Sequence, residues 1–404
     1  RSRVSDAQHR RPFAPSDPPM AQPDNHSALP PPGRGMRWLL GTVAVLLLAL
    51  VAARWTPQNG FTALLRFGDD FAEQRLPAVA TLPVASVPGQ GYDGQFYAQL
   101  AVDPDVRRPE VQRALDAPAY RAQRILLPLV AHLALRPWWI LQAFALFNVV
   151  AWLLFARFWW AEVRDLAPQR AHWLWLAGVL SLGALDSVRL SLVDLPATLF
   201  LLLAVRHARR GTAGRAGVFL ALAGLTRETA LFAFPALRHP DFWRRWLLRG
   251  LAALPAVAWF AWLRWQLPNN GGAAGFTGNF GWPGCALAEH LVRCGWELAH
   301  GNFDSRFLFG LIGAAGLAYQ ATRLLLLWRR TPQEPWLRGT IWFAILFWVL
   351  GAYVWHGYWA VARTCLPLTL AFNLTLPSGR GFWWRFALGN ACALHAIYRF
   401  LPEF

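Results

Sequence analysis

Long apolar stretches recur along most of this chain and constrain its fold more than any other feature. A first run covers residues 37–53, and ten more follow at about 120–135, 138–157, 171–187, 189–206, 216–238, 244–266, 305–328, 339–355, 359–376 and 385–400. Stretches of this kind are typical of helices that cross a lipid bilayer. The sequence therefore predicts an all-α, polytopic integral membrane protein with about 10 to 12 transmembrane helices.

The composition supports this prediction and excludes several classes of protein. Only 15% of the residues are charged, whereas an average soluble domain has about 25%. All 39 basic residues are Arg, which excludes enzymes that need a catalytic Lys, such as Walker-type nucleotide hydrolases and Schiff-base enzymes. The formal net charge of +17 comes from Arg placed between apolar stretches, so nucleic acid is not an expected partner.

Arginine-rich connections indicate how the chain is oriented. They lie at 206–215, 238–249, 329–338 and 380–385. Because basic loops are retained in the cytoplasm, a large first exocytoplasmic loop is expected at 54–118 and a second one at 267–304, both within a membrane domain at 36–404. Residues 1–35 have almost no apolar periodicity and are expected to be a disordered tail or a mis-called start.

Two apolar stretches do not fit this orientation as single membrane spans. Segment 216–238 lies between two cytoplasmic connections but cannot hold two full spans. We therefore predict a hairpin of two short helices, broken at Thr226-Arg227-Glu228, where polar backbone would lie beside a cavity. The alternative is an ordinary cytoplasmic turn. Segment 120–135 is predicted to be a juxtamembrane or re-entrant helix rather than a span.

The Cys residues predict a disulfide, and the spacing of the His residues argues against a zinc site. Cys285 and Cys294 lie nine residues apart in the second exocytoplasmic loop, an oxidising environment, so a disulfide between them is predicted. No two of the ten His residues stand three to five apart, which excludes helix-borne zinc motifs. No metal site and no cofactor are therefore expected.

The first polar motif of interest lies in the large exocytoplasmic loop, at 91–97. In a short helix, Asp93 and Tyr97 would project on one side, with Tyr92 and Gln95 beside them. A carboxylate above a cavity can act as general base towards a hydroxyl group. The alternative is that Asp93 only caps the helix.

Arginine side chains form the second group of candidates. Arg121 and Arg124 are one helical turn apart, which suits a phosphate at head-group height. They could instead be snorkelling anchors. In the predicted hairpin, Arg227 and Glu228 are costly inside a membrane unless they face a polar cavity.

Further polar residues interrupt later apolar runs. Asp186, Arg189 and Asp194 stand between two short stretches, and Arg363 follows the sequence His-Gly-Tyr at 356–358. Such residues rarely face lipid. They could line a substrate site, or the acids and Arg189 could form a structural ion pair.

Four motifs occur in series: Tyr-Asp-Gly-Gln-Phe-Tyr at 92–97, Pro-Ala-Tyr-Arg-Ala-Gln-Arg-Ile-Leu-Leu-Pro at 118–128, Asp-Leu-Pro-Ala at 194–197 and Leu-Thr-Arg-Glu-Thr at 225–229. The series resembles a family of bacterial inner-membrane proteins linked to cell-surface glycopolymer formation. More distantly it resembles the GT-C superfamily, glycosyltransferases that use polyprenyl-phosphate sugars. The resemblance covers roughly residues 90–400.

The resemblance implies a GT-C-like fold in the bacterial inner membrane. It implies that Asp93 is the general base and that Arg227 faces the donor cavity, although no second acid that could pair with Asp93 is evident, since Asp103 is ten residues on. The partners would be a polyprenyl-phosphate sugar donor, a glycan or glycolipid acceptor and membrane lipid. The substrate-binding candidates are Tyr92, Gln95, Tyr97, Arg121, Arg124, Arg189, Asp194, Arg227, Glu228 and Arg363.

The expected function is therefore a membrane glycosyltransferase. Asp93 would deprotonate the acceptor hydroxyl, and Arg121, Arg124 and Arg227 would hold the lipid phosphate. Two alternatives stay open at this point. One is a transporter or flippase of a lipid-linked saccharide, since charged residues in broken helices suit that role too. The other is a non-catalytic component of a glycopolymer assembly complex.

Overall fold

The structure, a computed structural model, describes residues 33–267 and 278–401 of the chain. Its architecture is all-α, as predicted. The sheet in this part of the chain has only two short parallel strands, β1 (Phe67–Gly68) and β2 (Ser86–Val87). The predicted tail up to residue 32 and residues 268–277 of the predicted second loop lie outside the described residues.

Short elements build the region between the first helix and the longest one. The helices here are α1 (Arg34–Ala52), α2 (Pro77–Ala80), α3 (Gly94–Val102), α4 (Pro109–Arg113), α5 (Pro118–Ala122) and α6 (Leu126–His132), with 3₁₀ helices at Thr62–Leu65 and Asp69–Gln74. Segment 120–135 contains only short helices, none long enough to span a membrane, and its juxtamembrane or re-entrant placement stays a prediction. Helix α3 is entirely buried and packs against α6 and the following long helix, so the loop at 54–118 is attached firmly to the helical body.

The remaining helices, which include the longest of the described chain, form the rest of the body. They are α7 (Pro137–Leu166), α8 (Ala171–Val179), α9 (Leu182–Arg189), α10 (Asp194–Arg209), α11 (Ala213–Thr226), α12 (Phe242–Gln266), α13 (Cys285–Ala299), α14 (Ser305–Trp328), α15 (Pro335–Val349), α16 (Ala352–Trp355), α17 (Tyr358–Thr364), α18 (Leu366–Leu374), α19 (Phe382–Gly389) and α20 (Cys392–Phe400), with 3₁₀ helices at Pro168–Arg170 and Glu228–Ala236. Helix α10 contacts α7, α9, α11 and α15 and lies near the centre.

Three helices of the described chain are long and apolar enough to cross a membrane, namely α7, α12 and α14. A fourth span results if Pro168–Val179 and Leu182–Arg189, which meet at an angle of 41°, are counted together. Other apolar stretches are divided into shorter helices, as where α17 and α18 meet at Cys365. The number of 10 to 12 spans therefore stays a prediction.

The chain leaves helical geometry at the position predicted for the hairpin. Helix α11 ends at Thr226, Arg227 is extended with φ −156° and ψ 124°, and a 3₁₀ helix starts at Glu228. On the two sides of the break, Arg227 pairs with Asp194 and Glu228 pairs with Arg124. The predicted break is confirmed.

A buried ion network joins the far end of α10 to its neighbours. Glu162 on α7 is wholly buried and pairs with Arg206, at 2.6 Å, and with Arg209. The indole nitrogen of Trp336 donates to the same carboxylate at 2.8 Å. Because these residues come from α7, α10 and α15, the network fixes one end of the helical body. Asp194 lies at the opposite end of α10.

The predicted disulfide between Cys285 and Cys294 is wrong. Both residues lie on α13, and both thiols are free. Nine residues of α-helix separate two Cα atoms by about 13.5 Å, whereas a disulfide requires about 4.4–6.8 Å. The Gly- and Pro-containing sequence before Cys285 suggested a loop, but the helix begins at that residue.

The orientation can be tested with reporter fusions. Gly211 lies in the turn between α10 and α11, next to the arginine-rich end of α10. Fusions after Gly211 and Phe242 are expected to report the cytoplasm, and fusions near Gly60 and Gly272 to report the outside. Alkaline phosphatase activity after Gly211 would contradict the orientation.

Candidate functional site

Asp93 lies immediately before α3, but its carboxylate does not cap the helix. Its backbone is already helical, with φ −52° and ψ −32°, and its side chain makes no capping hydrogen bond. Instead, Oδ1 lies 3.0 Å from Nη2 of Arg121, and 29% of the side chain is exposed. A Cβ atom at Gly94 would lie 2.4 Å from the carbonyl oxygen of Leu190. Only Gly therefore fits after Asp93, which fixes the acid against the helical body.

Arg121 is held by a second acid that the sequence did not reveal. Its Nε and Nη2 atoms donate to the two oxygens of Asp116 at 2.7 and 2.6 Å. The guanidinium lies 5.1 Å from the ring centre of Phe96, within the range of a cation–π contact. Asp116 is therefore joined to Asp93 through Arg121 rather than by a shared metal-type site. One cation here serves two carboxylates.

Arg124 connects α3, α5 and the 3₁₀ helix after the break. Nε and Nη2 contact the two oxygens of Glu228 at 2.9 and 2.7 Å. Nη1 donates to the hydroxyl of Tyr97 and Nη2 to that of Tyr120, each at 2.6 Å. In the described structure Arg124 therefore holds elements together with four internal hydrogen bonds, rather than offering its guanidinium to a ligand.

Asp194 is the shared partner of two arginines. Its side chain is only 2% exposed and pairs with Arg227 and, at 3.3 Å, with Arg363. Arg227 also donates to the hydroxyls of Thr364, at 2.8 Å, and Thr229, at 3.1 Å. One carboxylate here serves two cations, which is the reverse of the arrangement around Arg121.

Tyr92 links these two groups. Its hydroxyl accepts hydrogen bonds from Nη2 of Arg363 at 2.8 Å and from the indole nitrogen of Trp359 at 3.1 Å. Asp93 is the next residue in the chain. The acid before α3 and the arginine pair around Asp194 therefore belong to one polar cluster, although they come from segments about 100 to 270 residues apart.

A narrow cleft opens at the Asp194 side of this cluster. Its cavity volume is about 10 Å³, room for roughly one water molecule, so a larger group could enter only by displacing side chains. Its polar walls are Asp194, Thr198, Arg227, Thr229, Arg363 and Thr364. Within the described chain, no group of three or more His, Cys, Asp or Glu side chains could hold a metal ion. Arginine and threonine are typical ligands of a phosphate, so the cleft suits an anionic group.

Most of the predicted site residues meet in this cluster. They are Tyr92, Asp93, Tyr97, Arg121, Arg124, Asp194, Arg227, Glu228 and Arg363. The sequence analysis missed Asp116, Tyr120, Trp359 and Thr364. Tyr120 belongs to the quoted 118–128 motif, but nothing in the sequence places Asp116 or Thr364 next to the arginines that they contact.

The contacts described for Gln95 and Arg189 lie elsewhere than in this cluster, and their substrate-binding roles stay predictions. Gln95 is fully buried; its amide oxygen accepts from the nitrogen of Gly68 at 3.0 Å, and its amide nitrogen donates to the carbonyl of Gln90 at 2.7 Å. It therefore secures the loop before α3. Arg189 lines a separate small cavity formed with α1 and α20, and the nearby Asp186 pairs with Arg399 at 3.2 Å.

Comparison of the chain with protein-family models, curated proteins and solved structures finds no match. The family resemblance therefore rests on the four sequence motifs. The structure places residues of all four motifs in the same cluster: Asp93 from the first, Arg121 from the second, Asp194 from the third and Arg227 from the fourth.

The charges around Asp93 keep it ionised. Burial raises the pKa of its carboxyl group, but the positive charges of Arg121 and Arg363 outweigh burial and lower the pKa from 3.8 to about 2. The carboxylate is therefore negative throughout the neutral range and can accept a hydrogen bond from a hydroxyl group.

The lowered pKa of Asp93 predicts a pH-dependent contribution to stability. Because the pKa is lower in the folded protein, the ionised group stabilises the fold above about pH 4, and this contribution is lost as the pH falls towards 2. We expect Asp93→Asn to lower the free energy of unfolding by about 2 kcal/mol at pH 6, and by much less at pH 2.5. Unfolding in detergent at both pH values measures this, and an equal effect at both would contradict the assignment.

The shared carboxylate predicts a strong and partly reversible defect. Asp194→Asn leaves Arg227 and Arg363 buried without an acid, which should cost about 3–5 kcal/mol of stability. Adding Arg363→Gln removes one of the two uncompensated charges and should restore part of the loss. Thermal unfolding in detergent compares the single and double variants. A double variant less stable than Asp194→Asn would contradict the shared pairing.

Proposed function

We propose that the protein is a membrane glycosyltransferase that transfers a sugar from a polyprenyl-phosphate-linked donor to a glycan or glycolipid acceptor. The observation that carries this proposal is a separation of charge within the cluster. Four arginines face four acids, so the total is zero, but they are unevenly paired. Arg121 serves two acids, which gives a local charge of −1, and Asp194 serves two arginines, which gives a local charge of +1.

The positive end suits the donor phosphate. Arg227 and Arg363 line the cleft with the hydroxyls of Thr229 and Thr364. A phosphate entering here would compete with Asp194 for the two guanidinium groups, and charge-assisted hydrogen bonds to phosphate are among the strongest in proteins. Arg227 keeps the role expected from the sequence. Arg363, rather than Arg121 or Arg124, is its partner, because Arg227 and Arg363 share a single carboxylate, whereas Arg121 pairs with two acids and Arg124 has Glu228 to itself.

The negative end suits the acceptor hydroxyl. Asp93 is ionised and partly exposed, and Asp116 holds Arg121 by two hydrogen bonds so that it contacts Asp93 through Nη2. Tyr92 bridges from this end to Arg363. A hydroxyl placed against Asp93 would therefore lie beside a donor whose phosphate contacts Arg363.

The proposed reaction uses the negative end of the cluster for the acceptor and the positive end for the donor. Asp93 accepts the proton of the acceptor hydroxyl, and the acceptor oxygen forms a bond to the anomeric carbon of the sugar. The bond from that carbon to the phosphate oxygen breaks, and both of its electrons leave with the polyprenyl phosphate. Arg227 and Arg363 stabilise the charge on the departing phosphate. A single displacement of this kind inverts the anomeric configuration.

The apolar helices support a site in a membrane, where a polyprenyl donor resides. Helix α10 has 16 residues and is therefore about 24 Å long, with Asp194 at one end and Arg206 and Arg209 at the other. The hydrocarbon core of a bilayer is about 30 Å thick. Helix α10 alone is too short to span this core. With the longer α7 beside it across the membrane, the cleft would lie towards the outer head groups of the bacterial inner membrane, where a lipid-linked phosphate is within reach.

A transfer assay in membrane vesicles tests the proposal. Vesicles containing the protein receive radiolabelled polyprenyl-phosphate sugars, and transfer to endogenous acceptor is counted. We expect Asp93→Asn to reduce the rate by about 10²–10⁴. The change is nearly isosteric, and because Asp93 does not cap α3, it removes only the carboxylate that pairs with Arg121 and would accept the proton.

Asp103→Asn is the matched control. Asp103 follows α3 in the same loop, but it pairs with Arg108 at 2.5 Å, apart from the cluster. This variant should keep near-normal transfer. If Asp93→Asn transfers sugar as well as Asp103→Asn does, the general-base role is wrong. Movement of labelled lipid across the vesicle membrane without transfer would favour the flippase alternative.

A further inference from the structure

An arginine cluster surrounds the start of α12, far along the chain from the proposed active site. Arg238, Arg244, Arg245 and Arg249, which we call the α12 basic cluster, make no ion pair with any acid that the structure describes. The neighbouring Asp241 is exposed, and its carboxylate accepts from the backbone nitrogen of Arg244 at 2.7 Å. The arginines of α10 differ, because they pair with internal acids.

The position of these charges is unfavourable within the protein itself. Arg244 and Arg245 lie in the first turn of α12, where the partial positive charge of the helix end repels cations. Arg249 is also close enough to Arg245 and Arg238 to be repelled by them. An external anion would relieve both repulsions.

Exposed apolar side chains continue from the cluster along the same helix. Trp243 is 79% exposed, and Phe242 and Trp246 are more than half exposed. Further along, Leu247, Leu251, Leu254 and Val257 are also more than half exposed, at the spacing of one helical face. Of the 18 most apolar consecutive residues of α12, only 17% are buried. The corresponding values are 61% for α7 and 44% for α14.

We propose that this end of α12 is a binding site for the head groups of anionic phospholipids. Arginine and aromatic side chains share the first two turns of α12, and aliphatic side chains continue the exposed face along the axis, in the order of head-group region and acyl chain in a lipid leaflet. An acidic protein would match the arginines but not the long aliphatic face beside them. The site is separate from the proposed glycosyltransferase site and does not depend on it.

Photocrosslinking at the site tests this proposal. A p-benzoylphenylalanine replaces Trp243, and the full chain is reconstituted in vesicles of three parts phosphatidylcholine to one part phosphatidylglycerol. After irradiation, mass spectrometry of the adducts gives the ratio of the two lipids. We expect phosphatidylglycerol to be enriched by about fivefold for each contributing arginine, the factor that corresponds to about 1 kcal/mol per basic residue.

The double variant Arg244→Gln/Arg245→Gln should bring the adduct ratio close to that of the vesicle. The matched control is Arg329→Gln/Arg330→Gln, an exposed arginine pair after the C-terminal end of α14, which should leave the enrichment at position 243 unchanged. If the double variant does not insert, raising the ionic strength with the unmodified arginines should lower the enrichment instead. An adduct ratio equal to that of the vesicle, or adducts mainly to a second copy of the chain, would overturn the proposal.

Discussion

The carboxylate of Asp194 is the contact on which the geometry of the candidate site depends. It is almost completely buried and pairs with both Arg227 and Arg363. Those arginines come from the break after α11 and from α17, while Asp194 starts α10, so one acid joins three segments. Removing a single partner from a buried ion pair is strongly destabilising. The break at Arg227 is therefore supported by tertiary contacts that compensate for the lost helical hydrogen bonds.

Charge pairing explains how an apolar body tolerates so many ionised groups. Each of the two polar layers joined by α10 contains acids matched to arginines, around Asp194 at one end and around Glu162 at the other. An unpaired charge inside a membrane would be far more costly than a paired one. The use of Arg throughout suits this arrangement, since its guanidinium stays charged when buried and can bind two acids at once, as Arg121 does.

The sequence predicted the features that depend on local residue patterns or on the free-energy cost of charged residues in a membrane. It did not predict the features that depend on contacts between residues far apart in the chain. The helical class and the break at Arg227 followed from apolar periodicity and from the short length of 216–238. Asp116 was missed because its role is defined only by the position of Arg121 in space. Gln95 was a substrate-binding candidate as a member of the 92–97 motif, whereas its side chain on α3 contacts the backbone of Gly68 and Gln90. The Cys285 disulfide failed because a helix starts where a loop was expected.

A neutral cluster with an uneven internal pairing would suit the two proposed substrates, a donor that carries a phosphate and an acceptor that carries the reacting hydroxyl. A net positive site would hold a polyprenyl phosphate after transfer as firmly as before, which would slow its release. In the proposed reaction, an entering phosphate would exchange with Asp194 at the two arginines, and Asp194 would regain them when the product leaves. The affinity for the phosphate would therefore be limited by the strength of the ion pairs that Asp194 already makes with Arg227 and Arg363. The same pairing keeps Arg363 next to Tyr92, so the distance between the phosphate end and Asp93 is fixed by the protein before any substrate arrives.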